Sequence, residues 1–201
     1  MKMTENTNLV HIGGRAVEAS GSLKDMVKKS KERPIMICDR SGSMAERVVG
    51  GPFSEGERKI DALRRILSNL RQEADFLLMQ FDNEASFVDG IDEPRGGTNL
   101  AGALELAATK NARRYVLICD GWPDNPGAAL AAAAKLPAPL DVFYVGPETD
   151  THGKAFMAEL AKAGRGEFGA ARLDQKELEN KVRLALTVGS PEDIAKGPIA
   201  L

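Results

Sequence analysis

The chain is poor in the residues that announce common chemistries. Its 201 residues include two cysteines, one tryptophan, two tyrosines and two histidines. Cys38 and Cys119 each sit inside an apolar run, directly before an aspartate, and neither has the CxxC spacing of a zinc or redox site. They read as small buried hydrophobes in a reducing compartment. No apolar run approaches the ~20 residues that span a bilayer. The longest candidate, AALAAAA at 128–134, is bounded by Pro126 and Lys135. The N-terminus, MKMTENTNLVHIGG, lacks the apolar stretch of a secretory signal, so a cytoplasmic protein with no membrane role is expected. Net charge is −2 with the signs interspersed, and the basic surplus of a nucleic-acid binder is missing.

What is present is ordinary for one globular domain with short appendages: 43% hydrophobic and 28% charged residues. Residues 1–33 are polar and read as an N-terminal appendage, with Gly13-Gly14 and the lysine-rich SLKDMVKKSKER, where Ser22 is placed to cap a short helix. Regular alternation begins at Pro34. IMIC, DFLLMQF, ASFVDG, YVLICD, LDVFYVG and a short GEF read as strands. Between them fall helical patterns. In ERKIDALRRILSNLRQEA, Ile60, Leu63, Ile66, Leu67 and Leu70 recur at spacings of three and four. LAGALELAATK, NPGAALAAAAKL, HGKAFMAELAKAG and DQKELENKVRLAL follow the same rule, and residues 187–201 form a C-terminal tail. Strands alternating with helices predict an α/β fold over 34–186. The sheet is expected to be mainly parallel, with helices on both faces. Such folds bind ligands beyond the carboxyl ends of the strands, where strand order reverses.

The sequence PIMICDRSGSMA, at 34–45, brings a buried strand up to Asp39 and then sets Ser41 and Ser43 on alternate residues. Asp120 ends a second apolar run, and Thr98 follows two glycines in RGGTNL. If the two strands are neighbours, two carboxylates converge, and a cation between them removes their repulsion. With three hydroxyls they make five oxygen ligands, which suits a hard divalent ion such as Mg²⁺.

The three segments DRSGSM, GGTNLAGAL and VLICDGWPD together resemble the von Willebrand factor type A (vWA) domain with an intact metal-ion-dependent adhesion site (MIDAS), of the intracellular microbial type. Asp39, Ser41 and Ser43 match its first element, Thr98 its second and Asp120 its third. The resemblance implies a Rossmann-like, doubly wound, mostly parallel α/β sheet of about six strands flanked by helices. It also implies that Ser41, Ser43 and often Thr98 touch Mg²⁺ or Mn²⁺ directly, while Asp39 and Asp120 act largely through water. A partner's Glu or Asp then completes the coordination. It implies a non-enzymatic protein-interaction module whose partner is an AAA+ ATPase or another complex subunit. Trp122, two residues past Asp120, and Phe53, in the loop after the serines, are candidate partner contacts. His152, after the strand ending at Gly146, falls at the same end of the sheet and reads as a solvated histidine.

Two other functions compete. A metal-dependent phosphohydrolase would use Asp39 as nucleophile. A haloacid-dehalogenase-like site, however, wants a second carboxylate where Ser41 stands. GPFSEGERK has Glu57 where a phosphate-binding loop needs lysine, and no GxSxG elbow is present. The remaining reading is a structural subunit with a vestigial metal site.

Overall fold

The computed structural model describes residues 10–12, 15–17, 32–47, 56–147, 149–170 and 175–187. Residues divide into two compact units, Met1–Glu32 and Arg33–Leu201. In the first, strands β1 (Val10–Ile12) and β2 (Arg15–Val17) pair antiparallel, with Val10 opposite Val17 and Ile12 opposite Arg15. This ribbon has no counterpart in the sequence reading, which takes residues 1–33 as a polar appendage with a short helix. The helix expected after Ser22 lies outside the described residues.

The second unit contains a six-stranded sheet. In chain order its elements are β3 (Ile35–Asp39), a 3₁₀ turn (Gly42–Ala45), α1 (Lys59–Glu73), β4 (Leu77–Phe81), β5 (Ala85–Phe87), α2 (Leu100–Ala108), β6 (Tyr115–Cys119), α3 (Pro126–Ala134), β7 (Leu140–Tyr144), α4 (Thr151–Ala163), β8 (Arg165–Ala170) and α5 (Gln175–Thr187). The spatial order is β5-β4-β3-β6-β7-β8. All pairings are parallel except β4–β5, which the short DNE turn joins as an antiparallel hairpin. The chain runs outward from β3 to β5, then crosses back to lay β6 on the other side of β3. The reversal point therefore falls between β3 and β6.

Residue alternation along the strands builds two cores. Ile35 and Ile37 face α2, α3 and α4, alongside Leu104, Ala129, Ala133 and Leu160. Met36 and Cys38 face α1 and α5, alongside Leu63, Ile66, Leu67, Val182 and Leu186. The helix stripe read from the sequence is buried as expected: Ile60, Leu63 and Ile66 are fully inaccessible. Each such side chain contributes about 1.5–3 kcal/mol by leaving water. Side chains also fix where three helices begin. Asn99 accepts from the Gly102 N–H at 3.1 Å, Asn125 from Ala128 at 3.0 Å and Asp150 from Gly153 at 2.9 Å.

Candidate functional site

Three loops meet at the carboxyl ends of β3 and β6, and backbone hydrogen bonds lace them together. Gly42 N–H donates to the Gly96 carbonyl at 3.1 Å, and Arg95 N–H to the Arg40 carbonyl at 2.9 Å. Gly96 has φ +69°, a conformation that favours glycine, and this turns its carbonyl towards Gly42. Thr98 N–H donates to Asp124 Oδ2 at 3.1 Å, and Asp124 N–H returns a bond to the Thr98 carbonyl at 3.1 Å. The Thr98 loop is thus tied both to the loop after β3 and to the loop after β6.

Four of the five predicted metal-site residues form one connected row. Asp39 Oδ1 accepts from Ser41 N–H at 2.7 Å, an aspartate turn that sets the serine spacing. Ser41 Oγ and Ser43 Oγ are 3.0 Å apart, and Ser43 Oγ donates to Asp120 Oδ1 at 2.8 Å. Asp39, Ser41 and Asp120 are all buried. Thr98, also buried, lies on the loop that the Gly42–Gly96 bond ties to this row, and its hydroxyl is not part of the chain of bonds. Among the described residues no three Asp, Glu, His or Cys side chains cluster to hold a metal. The donor set at this end is two carboxylates with hydroxyls.

Burial pushes the Asp39 carboxyl up to about 6, and the nearby Asp120 adds to the rise. The Cys119 thiol, donating to Asp39 Oδ2 at 2.9 Å, and the Ser41 bonds act against it. Two acids are therefore packed closely enough for one to resist ionisation. A positive charge between them would relieve that strain.

One of the two acids, Asp120, already has a positive charge against it, and the sequence reading missed it. Lys59, the first residue of α1, donates from Nζ to Asp120 Oδ2 at 2.6 Å, to Glu46 Oε2 at 3.0 Å and to the Ser43 carbonyl at 3.3 Å. Its side chain is 6% exposed, Asp120's 1% and Glu46's 66%. Burial works to lower the Lys59 pKa, but Asp120 and Glu46 outweigh it and raise the group above its ordinary value. A signal existed in the sequence. Lys59 lies on the apolar stripe, four residues before Leu63 and seven before Ile66. It also occupies the first turn of a helix, where the macrodipole disfavours a cation.

A second buried cation braces the loops. Arg40 Nη2 meets Asp82 at 2.7 Å and Nη1 meets Asp92 at 3.3 Å, while Arg95 Nε reaches Asp82 at 3.0 Å from the exposed side. Beneath Asp120, Gly146 packs so closely that a Cβ there would lie 2.2 Å from the Asp120 carbonyl oxygen.

Of the two predicted partner contacts, Trp122 is 52% exposed, its ring stacked at a tilt 5.0 Å from Phe156 at the rim of this end. Phe53 lies outside the described residues. His152 is exposed in the first turn of α4.

Among solved structures, the chain is similar to the VWA domain of SpRpn10, with a TM-score of 0.57 at 12% identity, covering 79% of this chain and 99% of that one. A second, an uncharacterized membrane spanning protein from Vibrio fischeri, aligns at 18% identity over 84% of this chain and all of that one, with a TM-score of 0.31. No family model and no curated protein sequence matches the chain. The fold is that of a vWA domain. No described helix is long and apolar enough to cross a membrane.

Proposed function

We propose that the chain is a non-enzymatic, divalent-metal-dependent protein-interaction module with a MIDAS-type site. The observation that supports this most is the hydrogen-bonded row Asp39–Ser41–Ser43–Asp120 at the sheet's reversal point, with Thr98 on the loop tied to it. Ser41, Ser43 and Thr98 offer neutral oxygens, and Asp39 and Asp120 offer negative charge. This set fits Mg²⁺ or Mn²⁺. Such an ion supplies a hard, carboxylate-seeking position at the surface. The partner is then a protein presenting Glu or Asp, such as an AAA+ ATPase or another complex subunit. Trp122 gives that partner an exposed aromatic anchor beside the metal. Asp39 suits a ligand better than a nucleophile. It is wholly buried, and both its oxygens are engaged by Ser41 and Cys119.

Thermal unfolding in Mg²⁺, Mn²⁺ and EDTA tests the reading. A metal at a hundred times its Kd adds about 2.7 kcal/mol to the native chain by mass action, and Ser43→Ala abolishes most of that gain. Capture from lysate with and without EDTA then identifies the partner, which Trp122→Ala retains less well. Identical melting in all three conditions would refute metal binding and leave the structural-subunit reading.

A further inference from the structure

We infer that Lys59 is a built-in counter-ion of the candidate metal site, holding Asp120 when no metal is bound and lowering the site's affinity for divalent ions. This rests on the metal-binding reading and deepens it.

Both oxygens of Asp120 are occupied by the chain itself, Oδ1 by the Ser43 hydroxyl and Oδ2 by the Lys59 ammonium at 2.6 Å. The lysine reaches this place because backbone geometry delivers it there. Lys59 N–H donates to the Glu46 carbonyl at 3.1 Å, and Arg47 bridges to Arg58, so the start of α1 is held against the end of the serine turn. The side chain then passes inward and is almost wholly buried. A lysine at a helix start has the dipole against it, and desolvation against it as well. What offsets both is the Asp120 charge, with Glu46 adding to it.

Lys59 sets a positive charge directly on Asp120 and shares it with the largely exposed Glu46, so a divalent ion meets an acid pair that is already partly neutralised. The ammonium and the ion also compete for the same carboxylate. A site of this kind stays folded without metal and binds the ion more loosely than the two acids alone would. Glu46 lies on the exposed side of the ammonium and gives it a second anchor.

The test measures Mg²⁺ affinity by calorimetry at fixed ionic strength for the native chain, Lys59→Met and Lys59→Gln. Thermal melts in EDTA and in saturating Mg²⁺ accompany it. We expect both variants to bind Mg²⁺ at least tenfold more tightly than the native chain. Their melting deficit in EDTA should shrink in Mg²⁺, because the ion takes over the neutralisation of Asp120. If Lys59→Met is unfolded in EDTA, refolding on adding Mg²⁺ supports the inference and failure to refold overturns it. Binding by the variants but not by the native chain also supports it, while refuting metal binding by the native protein. Equal affinities with a deficit unchanged by Mg²⁺ would overturn the role of Lys59 and leave the metal reading standing. Absence of binding in all three chains would overturn both.

Discussion

Arg40→Ala should be among the most damaging single substitutions near the candidate site. Arg40 follows Asp39, and its backbone joins two loops: its N–H donates to Phe81 at 2.9 Å and its carbonyl accepts from Arg95. Those bonds survive truncation. What is lost is the guanidinium, whose side chain is 7% exposed, against Asp82, which is 3% exposed. Removing one partner of a buried pair costs about 3–5 kcal/mol, because the other charge stays buried. Two features place the effect at the lower end. Arg95 still reaches Asp82 at 3.0 Å, and Arg40 Nε is itself a buried donor with no partner, a cost that truncation removes. The Asp92 contact adds little, since that carboxylate is 65% exposed. We therefore expect about 3 kcal/mol, or roughly 6–12 °C in Tm for a domain of this size. Urea unfolding measures it directly. Arg95→Ala is the control: its side chain is 66% exposed, and the loss should stay under about 1 kcal/mol. In the Arg40→Ala background the same change should cost more, because Arg95 has become the only cation on Asp82. If Arg40→Ala cost no more than Arg95→Ala, the buried network would not be bracing these loops.

Two further outcomes follow from the same geometry. Burial opposes the ionised form of Asp82, but the Glu84 N–H, Arg95 and Arg40 prevail and hold its carboxyl below the ordinary 3.8. The unfolded chain therefore takes up this proton first as pH falls. The Asp82 contribution is complete above the ordinary value and lost as pH drops through the native one, so Asp82→Asn should flatten the acid limb of a stability–pH curve. Gly146→Ala would set a methyl group 2.2 Å from the Asp120 carbonyl oxygen and 2.3 Å from Tyr144 Oη. It should cost about 1–3 kcal/mol in urea and blunt the Mg²⁺ shift, whereas Gly90→Ala, which meets open space, should do neither.

The fold was legible wherever burial writes a continuous pattern. IMIC and YVLIC are covered on both faces, so they read as central strands, and the helix stripe from Ile60 to Leu70 reads as one face of a helix. Asp39 and Asp120 were legible because each directly follows such a run. The details that set the site's charge were not. The place of Lys59 on the apolar stripe shows that its stem runs inward, but only the tertiary fold shows that it ends on Asp120. Arg40 lies between motif residues, yet its partners Asp82 and Asp92 come from segments 42 and 52 residues away. The β1–β2 ribbon was missed because three-residue strands carry too little alternation to separate from a polar segment.

The two thiols have a practical consequence. Cys38 and Cys119 lie on adjacent central strands but face opposite helical layers, Cys38 towards α1 and α5 and Cys119 towards α2, α3 and α4. Both are fully inaccessible, and burial raises both well above an ordinary thiol. An alkylating reagent therefore meets neither until a layer lifts from the sheet. Labelling followed residue by residue gives two independent clocks in one molecule, one timing the release of each helical layer.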